Sequence, residues 1–423
     1  MLRLAVRGGK PLNGEVTISG SKNAALPILA ATILLPGHTV IRNIPNLIDV
    51  ITILRVLRAL GLRAEYSQSI PNTVDVWNNQ VRHVAPYELV TKMRASFFVI
   101  GPILATKGLA KIPLPGGCAI GSRPVDIHIK GLEGLGAKVI LEHGFVIAEA
   151  PKLVGGRICL DFPSVGATET VMMAATLAEG ETILENAARE PEIIDLANFL
   201  IKAGAKIEGA GSSEIKIIGV NKLYPVEYSV VPDRIEAGTF LAAAAITGGE
   251  LKINKIVPEH LESAIQKFQE SGLKVKLGES DLLVSKNGGF HAVDVKTMPY
   301  PGFPTDMQPQ LSAFLCLAKG TSVVSETIFE NRFMHMNELK RLGAEIKLEG
   351  QSAVITGVEK LSGAPVKISD LRAGAALLIA ALAAEGETLI EDRDHHLGRG
   401  YDNIINKLNA LGGDVRAVNQ ENN

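Results

Sequence analysis

One stretch of this 423-residue chain concentrates the means for chemistry around a single side chain. Lys111-Ile-Pro-Leu-Pro115-Gly-Gly117-Cys118-Ala-Ile-Gly121-Ser-Arg123-Pro124 sets three prolines and three glycines about one cysteine. That composition predicts an exposed loop rather than a helix or strand. Exposure, with Arg123 close by, favours the thiolate of Cys118. Such a group serves as nucleophile or general acid, and residue types alone do not choose between them. Cys159 and Cys316 read instead as buried packing. Three cysteines without a C-x-x-C pair exclude a disulfide framework and a cysteine zinc site.

A second set of reactive groups is marked by spacing. Lys22, Arg94, Arg234 and Arg372 are 72, 140 and 138 residues apart, multiples of about seventy, and each opens a stretch of small apolar residues that predicts a helix. Asp306, in Thr305-Asp306, stands at another such start, as does Ser164-Val165. Further cations stand near the starts of neighbouring helices: Arg123, Arg189, Arg332 and Arg399. A cation at a helix N-terminus opposes the helix dipole at a loss of about 0.3–1 kcal/mol. A solvated side chain explains one such residue. Several at equivalent positions call for a compensating anion, with backbone N–H groups and guanidinium forks converging on phosphate or carboxylate. The indicated ligand is a polyanionic small molecule.

Other clusters carry less. Asp392-Arg-Asp394-His395-His396 lacks the i, i+4 histidine spacing of a zincin helix and reads as a solvated loop. His335 reads as structural. Gly131-Leu-Glu-Gly134-Leu-Gly136 is not a dinucleotide fingerprint, and no G-x-x-x-x-G-K-[ST] occurs. Neither metal nor organic cofactor is expected.

The elements that must position these groups repeat. A helix-like stretch ending in glycine and running into a strand recurs at Gly61, Gly136, Gly204, Gly272, Gly343 and Gly412, at intervals of 75, 68, 68, 71 and 69. Between these, six small-residue helices close at Gly37, Gly108, Gly180, Gly248, Gly320 and Gly386. Glycine suits the residue after a helix, where positive φ is required. The alanine-rich series is apolar nearly all round and is predicted to be buried on every side. The other, amphipathic series, such as 191–203, belongs outside. Repeats of about seventy residues exceed the usual solenoid unit of about 20–50 and read as small α/β modules packed around shared helices.

Composition agrees with a globular chain of two or three domains: 46% apolar, 21% charged and a net charge of −2. Only 4% aromatics and no basic excess argue against a nucleic-acid platform or an anionic membrane surface. The N-terminal residues lack a signal-peptide pattern, and the longest apolar run, 24–36, is 13 residues, too short to span a bilayer. A cytoplasmic location is expected.

Several stretches together resemble the enolpyruvyl transferases, and among them the members that act on UDP-N-acetylglucosamine in bacterial peptidoglycan synthesis. They are Gly20-Ser-Lys22-Asn23-Ala-Ala, Pro115-Gly-Gly-Cys118-Ala-Ile-Gly-Ser-Arg123-Pro-Val-Asp126, Ser164-Val-Gly-Ala-Thr, Phe303-Pro-Thr-Asp306-Met-Gln, Phe329-Glu-Asn-Arg332-Phe-Met-His, Asp370-Leu-Arg372-Ala and Arg399-Gly-Tyr401. The resemblance implies an inside-out α/β barrel of two domains with three repeats each. One would span residues 22–231, the other 1–21 plus 232–423, the N-terminal strand joining the second.

The implied reaction moves the enolpyruvyl group of phosphoenolpyruvate to the sugar 3′-hydroxyl, releasing phosphate through a tetrahedral ketal. By resemblance, Cys118 is the acid at C3 and Asp306 the base. Lys22, Arg123 and Arg399 would hold the phosphate, with Asn23 beside them, and Arg332 and Arg372 the carboxylate. Asn23, Arg94, Arg123, Pro124, Val125, Asp126, Ile127, Ser164, Val165, Asp306 and Ile328 would meet the UDP-sugar. The chain departs from some members at Asp161-Phe162-Pro163-Ser164, where they carry a lysine two residues before the serine. The related transferase acting on shikimate 3-phosphate lacks the Pro-Gly-Gly-Cys signature.

Overall fold

The computed structural model describes residues 2–116, 125–286 and 288–418, and the chain folds into two compact units. One runs from Gly20 to Val231; the other joins the N-terminal stretch through Ser19 to the chain from Pro232 onward. Each has its own hydrophobic core.

The small-residue helices are buried, as their composition requires. In the helix Arg234–Thr247 every residue from Ile235 to Ile246 is buried, and in Leu371–Ala383 every residue from Arg372 to Leu382. These two pack on each other and on Gln308–Leu315. Gly238 shows how close the approach is, since a Cβ there would lie 2.5 Å from the Met307 side chain. In the other unit, Lys22–Ala31 and Val165–Ala175 both pack on the turn Arg94–Val99, and Ile100–Lys107 packs on Val165–Ala175.

Two of these helices begin later than their sequence pattern suggests. Arg94–Val99 and Thr305–Met307 are 3₁₀ turns, followed by α-helix from Ile100 and Gln308. Pro102 and Pro309 fall in the first turn of these two α-helices, where their missing N–H removes no intrahelical bond.

Among the described residues six sheets accompany these helices, three per unit. Every closing glycine, from Gly37 to Gly386, has positive φ, and so has every glycine from Gly61 to Gly412 in the other series. After each closing glycine comes a central strand, for example Glu181–Glu185 or Thr321–Ser325. Arg157–Cys159 runs parallel to the first of these and Glu214–Ile218 antiparallel to it. The same arrangement recurs around Thr321–Ser325. In the three-stranded sheet the parallel edge shrinks to a single bridge, Val84 to Lys111. Leu2–Arg7 supplies the antiparallel partner of Glu387–Asp392, so the first residues complete the last repeat.

The cysteine segment is not loop from its start: Leu109–Pro113 is a strand, with Ala110 and Ile112 facing the core. Cys159 is exposed rather than buried, because strand alternation turns Ile158 inward and Cys159 out, whereas Cys316 is buried. No helix among the described residues is long and apolar enough to cross a membrane.

Candidate active site

Asp306 sits in the turn Thr305–Met307, and Arg372 is the second residue of Leu371–Ala383. Arg332 precedes the helix Met334–Arg341 by two residues. Although 26 to 66 residues apart in sequence, the three side chains meet. Arg332 Nη2 lies 2.8 Å from Asp306 Oδ1, and Arg372 donates to Oδ2 from Nη2 at 3.0 Å and Nε at 3.2 Å. Charge-assisted bonds of this forked kind are the strong ones. Arg372 Nη1 and Arg332 Nε are buried with no hydrogen-bond partner. Burial alone would lower the Arg372 pKa, but Tyr401, Asp306 and Asp233 outweigh it and hold the guanidinium firmly charged.

Two buried networks fix these arginines. Glu326, just past the strand Thr321–Ser325, accepts from Thr297 Oγ1 (2.8 Å), Ile328 N (2.9 Å) and Phe329 N (3.2 Å) through one oxygen, and from Thr305 Oγ1 (2.9 Å) through the other. Thr305 Oγ1 in turn accepts from Arg332 Nη1 at 3.0 Å. Glu326 therefore ties the Ile328 loop to the turn that carries Asp306. Beneath Arg372, 5.3 Å from its guanidinium carbon, lies the Tyr401 ring. Thr239 donates to the Ile235 carbonyl at 2.8 Å, so its oxygen accepts from the Tyr401 hydroxyl (3.1 Å) and from Gln310 Nε2 (3.0 Å). Gln310 also donates to the Tyr401 oxygen at 3.0 Å.

The other unit presents helix starts. Ser21 caps Lys22–Ala31 by accepting from Ala24 N, and Ser164 caps Val165–Ala175 by accepting from Ala167 N. Lys22 is buried, its Nζ 3.3 Å from Asp49 Oδ2. Asn23, Arg94, Ser164, Val165 and Ile127 are half-buried, Val125 is buried and Asp126 exposed at the start of Asp126–Gly134. Phe162 is an exposed aromatic, and beside it Asp161 pairs with Lys130 at 2.5 Å.

Cys118, Arg123 and Pro124 lie outside the described residues. Ile328, half-buried, is placed by Glu326. Arg399 does not open the outer helix of its repeat. It lies in the last turn of a five-residue helix, His396–Gly400, and the outer helix is Ile404–Ala410, the two separated by residues 401–403, of which Asn403 has positive φ. Asp392 is buried rather than solvated, since it caps that short helix by accepting from His396 N and Leu397 N. His335 is buried, and burial pushes its pKa down to about 4, so it is neutral. No group of three metal-ligating side chains occurs among the described residues.

Sequence reasoning missed Glu326, Thr305, Gln310 and Thr239. Gln310 and Thr239 carried a signal, each a polar residue inside a largely apolar helix.

The family model described as EPSP synthase (3-phosphoshikimate 1-carboxyvinyltransferase) matches residues 6–408. A protein of Geobacter metallireducens named UDP-N-acetylglucosamine 1-carboxyvinyltransferase is 54% identical over 99% of this chain and 100% of its own length. One of the same name from Gloeobacter violaceus is 55% identical over 97% of this chain and 89% of its own. Among solved structures, the enolpyruvyl transferase NikO from Streptomyces tendae superimposes with a TM-score of 0.88 at 25% identity, covering 98% of both chains. EPSP synthase from Acinetobacter baumannii shares the fold, with a TM-score of 0.76 at 17% identity.

Proposed function

The chain belongs to the EPSP synthase family of carboxyvinyltransferases, and we propose that it transfers the enolpyruvyl group of phosphoenolpyruvate to the 3′-hydroxyl of UDP-N-acetylglucosamine. Phosphate is released, and the product enters peptidoglycan synthesis as its first committed intermediate. The observation that carries the acceptor is identity above 50% along nearly the whole chain to proteins named for it. A cytoplasmic location goes with these two substrates. The two compact units are read as the two three-repeat domains.

Addition to the enol ether needs a proton at C3 and a base for the attacking hydroxyl. Cys118 is assigned the first task and Asp306 the second. The carboxylate of phosphoenolpyruvate goes to Arg332 and Arg372, a reading supported by their burial and by the two N–H groups that lack partners. Lys22, Arg123 and Arg399 are assigned to the phosphate. Fixed cations around a dianion that becomes a ketal and then leaves as phosphate stabilise charge where it develops. Asn23, Arg94, the segment 123–127, Ser164, Val165 and Ile328 are assigned to the UDP-sugar.

Phosphate release from phosphoenolpyruvate tests the reading, with UDP-N-acetylglucosamine and shikimate 3-phosphate offered in parallel. Release with the UDP-sugar alone is expected. Release with shikimate 3-phosphate alone would overturn the acceptor, and none with either, from folded protein, would overturn the activity.

A further inference from the structure

Asp306 is placed against the two groups that, on the reading above, receive the substrate's carboxylate. Both of its oxygens are taken, one by Arg332 and one by two nitrogens of Arg372. The Arg332 and Arg372 side chains are only 3% and 1% exposed, whereas Asp306 is 26% exposed. A carboxylate arriving from solvent therefore meets an arginine pair on which Asp306 already occupies Nη2 of Arg332 and Nε and Nη2 of Arg372, with only the buried Nε of Arg332 and Nη1 of Arg372 left over. A carboxylate in that grip turns its oxygens to guanidinium N–H groups rather than to an incoming hydroxyl.

We propose that Asp306 holds the place of the phosphoenolpyruvate carboxylate, and that arrival of that carboxylate on Arg332 and Arg372 releases Asp306 to act as the base. The proposal rests on the reading of the site given above. One carboxylate replaces another on the same two cations, so the charge balance around the buried guanidinium groups is kept. Asp306 loses its two cation partners when the donor substrate is in place, and its oxygens can then turn to the acceptor's hydroxyl. The acceptor's O–H bond then breaks as its oxygen bonds to C2 of the enolpyruvyl group; the C2=C3 π pair takes a proton at C3 from Cys118, and the hydroxyl proton passes to a carboxylate oxygen of Asp306. An enol phosphate without a carboxylate cannot make the exchange, so the same contact selects the donor.

The test is calorimetric binding of phosphoenolpyruvate to protein carrying Cys118→Ser, which removes covalent adducts from the equilibrium, with Asp306 intact or changed to Asn or Ala. Removing the competing carboxylate is expected to tighten binding by at least about tenfold, because it abolishes charge-assisted bonds the ligand must otherwise displace. In the Cys118-intact protein, phosphate release should fall by at least about a hundredfold with either Asp306 change. Equal or weaker binding in a protein whose unaltered form is active would overturn this inference alone. Absence of phosphate release from the unaltered protein would overturn the functional reading instead. A crystal structure of the unaltered protein with phosphoenolpyruvate decides the matter should the variants not fold. Asp306 beyond hydrogen-bond distance of both arginines supports the exchange. Asp306 still in place, with the ligand on Arg332 Nε and Arg372 Nη1, refutes it.

Discussion

Glu169 is a buried acid whose carboxyl has no partner. It lies in the middle of the buried helix Val165–Ala175, 1% exposed, and neither carboxyl oxygen has a hydrogen-bond partner. Burial pushes its pKa well above the usual 4.5, and the nearby Glu192 and Glu190 push it further the same way. Glu169→Met replaces it with an unbranched apolar chain of similar volume. Removing an unpartnered buried polar group should stabilise the fold by about 1–3 kcal/mol where the acid is neutral in both states. A pH-dependent part adds to this. Above the unfolded pKa the unfolded chain releases the proton while the folded chain retains it. The acid therefore costs nothing extra below that pKa, and about 1.4 kcal/mol more per pH unit above it, until the folded pKa is reached. The advantage of Glu169→Met should thus grow as pH rises from about 4.5. Trp77, the single tryptophan, lies in the strand Val74–Asn78 of the same unit, so its fluorescence in urea reports this unit's unfolding. Glu169→Gln should remove the pH slope while gaining less, since an unpartnered polar group remains. A Met advantage independent of pH, or a Met variant less stable than the parent throughout, would refute the reasoning.

Other outcomes follow from the same geometry. Arg372→Lys cannot reproduce the paired Nε and Nη2 bonds, so KM for phosphoenolpyruvate should rise at least about tenfold while that for the UDP-sugar changes little; equal changes in both would count against a carboxylate role. Glu326→Gln would turn an amide N–H₂ toward Thr305, whose hydroxyl then loses its acceptor. By freeing Arg332 it should lower kcat/KM for phosphoenolpyruvate by about fivefold to tenfold, checked by steady-state kinetics at both substrates. On the proposed reading Cys118 is the reactive thiol and should gain one adduct with fosfomycin; an unmodified Cys118 peptide by mass spectrometry would remove it from that role.

The repeat was legible because its punctuation is steric. A glycine at positive φ after a helix is demanded by the local backbone, whatever the tertiary contacts, and all twelve glycines of the two series have it. The buried helices were legible from alanine content for a similar reason: they carry too few polar residues to give them a face toward water. What escaped was long-range. Pairing of Leu2–Arg7 with Glu387–Asp392 leaves no trace in the residue types at either end of the chain; the family resemblance alone led to the N-terminal strand being expected in the second domain, without its partner. Glu326 and Asp392 look like any surface acid until their four and two donors are in view. Cys159 was misjudged because its strand is only three residues long, too short for alternation to be read.

The cations at helix starts were taken to require an external anion, and the structure changes that argument. Lys22 is matched by Asp49, and Arg372 by Asp306, while Asp370 caps the helix that Arg372 opposes by accepting from Arg372 N and Ala373 N. Asp233 does the same for the helix that begins at Arg234. The fold thus supplies its own carboxylates where the helix dipoles and arginines would otherwise repel, and stability alone asks for no ligand. An anion is invited instead by what these carboxylates leave over, the Nη1 of Arg372 and the Nε of Arg332. Each is a buried donor whose desolvation costs about 1–3 kcal/mol while it stays unmade. Asp306 satisfies the pair only in part and is itself reachable from solvent, a combination that suits a place-holder better than a permanent structural partner.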